Sequence, residues 1–146
     1  MRLLDILAEQ KPTRLYLASD GPLDGHPDSY RLVRQCRDLA DQGTTWTHDV
    51  HRLYSDLNQG CRLGVASAIS WFFNNEPEGI VLEDDVHPDS SFFPYMQELL
   101  ERYRYDTRIG SISSHHFHRQ PPQGTSSYRF SIYNHCWGWG SWRRAW

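Results

Sequence analysis

The chain has 146 residues, six of them Trp, and a formal net charge of −3. That length suits one domain able to bury a core. No basic run occurs along it, which argues against a nucleic-acid partner.

Met1 to Gln10 is apolar at Leu3, Leu4, Ile6 and Leu7 and broken by Asp5 and Glu9. It is too short to span a membrane and lacks the cleavage pattern of a signal peptide, so a short amphipathic helix is expected. No other stretch could cross a bilayer; peripheral membrane contact stays open. Leu15 to Ala18 reads as a buried strand, ended by the turn cluster Ser19-Asp20-Gly21-Pro22. From Ser29 to Gln42, Leu32, Val33, Cys36, Leu39 and Ala40 share one helical face, and Gly43 stops the helix. Trp46 to Tyr54 is rich in β-formers and predicts a second strand. Cys61 to Phe73 predicts a second helix with Leu63, Ala66, Ile69 and Phe73 inward.

Ile80-Val81-Leu82 is a continuous apolar run followed at once by Glu83-Asp84-Asp85. A strand apolar on both faces suits the centre of a parallel sheet. Ser90 or Ser91 caps a third helix bearing Phe92, Phe93, Met96, Leu99, Leu100 and Tyr103, with Pro94 tolerated in its first turn. Ile109 to Ser113 and Tyr128 to Tyr133 predict two more strands around a loop from His115 to Ser126. Trp137 to Trp146 closes the chain. Alternating strands and helices predict an α/β domain with a mostly parallel sheet flanked by helices.

Cys36, Cys61 and Cys136 are widely spaced and form no Cys-x-x-Cys pair. Neither a zinc ribbon nor a disulfide framework is expected, and reduced thiols fit a cytoplasmic location. Lys11 is the only Lys; the other basic residues are Arg, which suits two-point contact with phosphate or carboxylate.

Ligands of open α/β sheets bind beyond the carboxyl ends of the strands. Asp20-Gly21 and Glu83-Asp84-Asp85 both fall there. Adjacent carboxylates repel, and solvation or a cation must offset that repulsion. Oxygen ligands of this kind favour magnesium or manganese, commonly shared with a bound diphosphate. The Trp137-Gly138-Trp139-Gly140 stretch, read as a strand, puts both Trp on one face. Its glycines would leave the other face open to a ligand.

Four segments in this order carry a resemblance: Leu17 to Pro22, Asn58 to Cys61, Gly79 to Asp85, and Trp137 to Trp146. Together they resemble the nucleotide-diphospho-sugar transferases of the GT-A fold, bacterial sugar transferases of which some are labelled hemolysin-related. The resemblance runs from about Leu15 to the end. It implies a single GT-A-like (Rossmann-like) nucleotide-sugar-binding domain over residues 1–146, C-terminally incomplete and lacking an acceptor part. It implies a glycosyltransferase that moves a sugar from a nucleotide-diphosphate donor to an unidentified acceptor.

The resemblance also implies roles. Ser19, Asp20 and Gly21 would hold the base. In the register Glu83-x-Asp85, Glu83 would contact the ribose and Asp85 the metal, with Asp84 orienting the donor. Manganese or magnesium at Asp85 would act as a Lewis acid on the leaving diphosphate. His116, in the cluster His115, His116 and His118, would complete the metal site. Trp137 and Trp139 would pack against sugar, and Arg143, with Arg144, would offset diphosphate charge. Galactosyltransferases of similar fold follow Trp-Gly-Trp-Gly with acids, one of them a general base. Here Ser141-Trp142-Arg143-Arg144 stands instead, so no catalytic base carries over. The rival expectations are a metal-dependent phosphoesterase using Glu83-Asp84-Asp85 with the His cluster, and a non-catalytic sugar or nucleotide binder.

Overall fold

A computed structural model describes residues 2–115 and 127–146. Among the described residues, four helices and five short strands make a small α/β protein. The chain divides into two compact units, Met1–Asn75 and Glu76–Trp146.

The first unit runs α1 (Arg2–Gln10), β1 (Leu15–Ser19), α2 (Pro27–Gln42), β2 (Val50–Tyr54) and α3 (Gly60–Asn75). β1 and β2 pair in parallel, from Leu15 opposite Val50 to Ser19 opposite Tyr54. Pro starts α2, where its missing N–H costs nothing. Gly43 ends the helix as expected, donating its N–H to the Leu39 carbonyl at 2.9 Å. Its φ of −77° is right-handed, so the stop does not use the left-handed freedom of glycine.

The predicted apolar face of α2 packs only in part, through Val33 and Ala40, while Leu32, Cys36 and Leu39 are exposed. Leu32 is 50 % exposed and Leu39 48 %, and no residue of the helix is buried. The half-buried positions include Val33, Arg37 and Ala40. Arg37 sets this rotation, because its guanidinium binds main-chain oxygens at the ends of β1 and β2. In α3, Ile69 and Phe73 are buried as expected, whereas Leu63 and Ala66 are exposed. β2 is shorter than its β-forming composition suggests. Trp46 lies in the turn after α2, with its indole N–H on the Gly43 carbonyl.

The second unit holds β3 (Glu78–Val81), α4 (Phe92–Arg102), β4 (Ser111–Ser113) and β5 (Trp139–Trp142), in the sheet order β3-β5-β4. β5 is antiparallel to both neighbours, with Gly140 opposite Ile80 on one side and Ile112 on the other. The expectation of a mostly parallel sheet is therefore met by β1 and β2 alone. β3 and β4 do run in the same direction, as their link through α4 requires. However, β5 separates them and reverses the pairing. Phe92, Met96, Leu99 and Leu100 of α4 bury against Ile112 and Trp142, and the periodicity of that helix is read correctly. Burial of side chains this large is the main stabilising term of the unit.

No strand forms at Tyr128 to Tyr133. Phe130, Ile132 and Tyr133 are 68 %, 92 % and 73 % exposed. Alternation supplied a strand-like pattern there, but no ladder partner pairs with it. Among the described residues, no helix is long and apolar enough to cross a membrane.

Candidate functional site

The loop after β1 is held from several sides. The Asp20 carboxylate accepts the N–H of Gly21 at 2.8 Å, of Gln59 at 2.8 Å and of Gly60 at 2.9 Å. Gly60 begins α3 and Gln59 directly precedes it, so this carboxylate caps a helix that starts forty positions further along. The Gln59 N–H does most to hold the Asp20 pKa below its ordinary value; Gly21, Gly60 and the nearby Arg37 charge add to it, against some desolvation. Asn58 donates its side-chain N–H to the Gly21 carbonyl at 2.9 Å. A Cβ on Gly21 would collide with the main chain of Leu57, which explains a glycine there. The segments Ser19 to Gly21 and Asn58 to Gly60, separate motifs in the sequence, form one hydrogen-bonded corner. Asp20 spends much of its accepting capacity on main chain, so its first evident role is to shape that corner.

Glu83, Asp84 and Asp85 follow β3 in an exposed turn, closed by the Val86 N–H on the Glu83 carbonyl at 3.1 Å. Asp85 lines a cleft of about 1720 Å³ in the second unit, together with His87, Tyr95, His115, His135 and Trp137. The cleft also runs past β4 and the segment after Ser127. Asn134 accepts from Ser111 at 2.9 Å and from Ser113 at 2.7 Å, which fastens that segment to β4. Ser113 also accepts the His135 N–H at 3.0 Å. His115 stands edge-on to Trp137, 5.0 Å between ring centroids, and 6.3 Å from His135. His116 and His118 lie outside the described residues. Among the described residues, no three His, Cys, Asp or Glu side chains converge to hold a metal ion.

The aromatic motif divides at Gly138. Its φ of +78° breaks the strand alternation, so Trp137 and Trp139 do not share a strand face. Trp137 is 48 % exposed at the cleft, whereas Trp139 is buried at 8 %. The glycines do not open a face to ligand either. A Cβ on Gly138 would stand 3.2 Å from Phe92, and one on Gly140 would stand 3.4 Å from Leu100. They leave room for the protein's own core. Trp142 belongs to that core, with its indole N–H on the Leu100 carbonyl at 3.1 Å.

Arg143 is placed away from the acidic turn. Its main-chain N–H meets the Pro77 carbonyl at 2.8 Å and its side chain the Glu76 carbonyl at 3.3 Å. Those residues precede β3, while Glu83 to Asp85 follow it, and four strand residues span roughly 13 Å. Arg144 donates to the carbonyls of Arg104, Ile109 and Tyr103 at 2.7, 3.0 and 2.8 Å. It satisfies the chain leaving α4 and packs over the Trp142 ring at 4.3 Å.

Sequence reasoning missed Arg37, His135 and Asn134. Arg37 carried a signal in hindsight, since it falls between Val33 and Ala40 on a single helical stripe. His135 and Asn134 carried none, being ordinary polar residues beside an aromatic motif.

No family model matches the chain, and no curated protein or solved structure is detectably similar to it.

Proposed function

We propose that this chain is a GT-A-like nucleotide-sugar-binding protein and acts as a metal-assisted glycosyltransferase on an unidentified acceptor. The observation that carries the reading is that Asp85, the last acid of the turn after β3, lines the same cleft as the exposed Trp137. A carboxylate for a cation and a half-exposed indole for a sugar are thus combined in one unit. The reading gives the cation and phosphates to Glu83, Asp84 and Asp85 of the second unit; in the first unit, taken by itself, it gives base recognition to the corner built by Ser19, Asp20 and Gly21. Magnesium and manganese commonly take one or two carboxylates and complete their shell with phosphate oxygens and water. A turn with three exposed carboxylates fits that habit. Bound there, the cation would supply charge stabilisation to a leaving diphosphate. A cytoplasmic location belongs to the same proposal.

A metal-dependent phosphoesterase is the second reading, favoured by His87, His115 and His135 around the cleft that Asp85 lines. A non-catalytic binder is the third. Calorimetry with nucleoside diphosphates, with and without manganese, tests the first. Manganese-dependent binding supports the transferase, and transfer to an acceptor panel separates it from a binder. Phosphate release from a simple ester without nucleotide binding would replace it with the phosphoesterase.

A further inference from the structure

We infer that Arg37 is a positioning residue for nucleotide recognition, acting through the Ser19-Asp20-Gly21 loop; the inference rests on the reading that this loop holds the base. α2 brings Arg37, half-buried, to the carboxyl ends of both parallel strands. Its Nη2 is shared among the main-chain oxygens of Ser19 at 3.4 Å, Asp20 at 3.0 Å and Ser55 at 2.7 Å. Its Nε donates to the Ser19 hydroxyl at 3.2 Å, and its plane lies over the Tyr54 ring at 4.9 Å.

The consequence falls on one peptide group. Arg37 holds the carbonyl of the Asp20–Gly21 peptide, and the Asp20 carboxylate holds its N–H at 2.8 Å. A peptide gripped at both polar ends cannot rotate without leaving a half-buried group unpaired. The loop is then set before any ligand arrives, which removes an ordering cost from binding. Lysine cannot replace this arrangement. It is a point charge without the planar fork that serves several oxygens while stacking on a ring.

The test compares two probes on one purified chain by calorimetry, well below the unfolding temperature. One is a panel of nucleoside diphosphates with manganese; the other is inorganic pyrophosphate with manganese. The wild type is expected to prefer one nucleoside diphosphate over pyrophosphate. Arg37→Lys should lose about tenfold of that preference and leave pyrophosphate affinity unchanged. General loosening of the fold would weaken both probes together. Tyr54→Leu removes the ring under the guanidinium and should lose part of the same preference. It decides the matter on the same comparison if Arg37→Lys fails to fold. The inference is overturned if Arg37→Lys keeps the wild-type preference, or if both probes weaken equally. A wild type that binds pyrophosphate as tightly as every nucleoside diphosphate refutes the base-loop reading, and the inference with it. A chain that binds neither probe refutes the proposed function itself.

Discussion

The carboxylate of Asp20, at the end of β1, accepts the main-chain N–H of Gly60 at the start of α3, at 2.9 Å. The same carboxylate takes Gln59 and Gly21. Asp20→Ala should therefore destabilise the protein by about 1–3 kcal/mol, because three N–H groups lose a charged acceptor. Urea unfolding at neutral pH measures this. The folded pKa lies below the ordinary 3.8, so the contribution is present above about pH 4 and fades as pH falls through the lower folded value. A wild type and Asp20→Ala that differ equally at pH 7 and at pH 2 would show that the charge is not what matters.

Asp85→Ala should leave unfolding free energy within about 0.5 kcal/mol of wild type, as expected of a surface substitution. Under the proposed function, the same change abolishes manganese-dependent binding of a nucleoside diphosphate. Calorimetry beside a melting curve checks both halves. Undiminished, manganese-dependent affinity in the variant would remove Asp85 from the site.

Neighbouring arginines should behave differently. Arg144→Met withdraws donors from the carbonyls of Tyr103, Arg104 and Ile109, and should cost about 1 kcal/mol or more. Arg143→Met should cost less, since its side-chain bond to the Glu76 carbonyl is long, at 3.3 Å. Neither should alter nucleotide affinity. A tenfold loss of affinity in Arg143→Met would restore that residue to the diphosphate.

Gly138→Ala asks an L-residue to hold φ near +78° with its Cβ 3.2 Å from Phe92. The left-handed conformation alone costs roughly 1–2 kcal/mol. A drop in melting temperature of several degrees is expected, with the far-ultraviolet spectrum retained. An unchanged melting temperature would mean that the turn relaxes freely.

Asp106 is held at about 2 by Arg108, which reaches it through both its guanidinium and its main-chain N–H. A depressed carboxylate contributes above its unfolded pKa near 4 and loses that contribution as pH falls toward 2. Carbon-detected titration of Asp106 in wild type and Arg108→Met should show the pKa rising in the variant.

Much of this architecture was legible in local patterns. The α4 stripe of Phe92, Met96, Leu99 and Leu100 packs as its spacing demands, because a strongly apolar periodicity leaves one economical orientation. The weaker stripe of α2 was legible only at Val33 and Ala40; Arg37 joins them by binding strand ends no sequence window can see, while Leu32 and Leu39 stay exposed. Strand direction was illegible for the same reason. Gly140 pairs with Ile80 and Ile112, residues far from it in the sequence, so no local window shows the direction of the ladder. At the candidate site, sequence located Asp20 and Glu83 to Asp85 at strand ends. It did not reveal that Asp20 is tied to main chain, or that Trp139 is buried while Trp137 is exposed.

The position of β5 between β3 and β4 governs the order in which this unit can be made. Without residues 139–142, the inner edges of β3 and β4 lack the ladders that β5 supplies. Both native ladders of this sheet run through β5, antiparallel to each neighbour. Closure waits for residues 139–142 to enter from a distant part of the sequence, which is slow compared with local pairing. Until then the open edges are available to other chains.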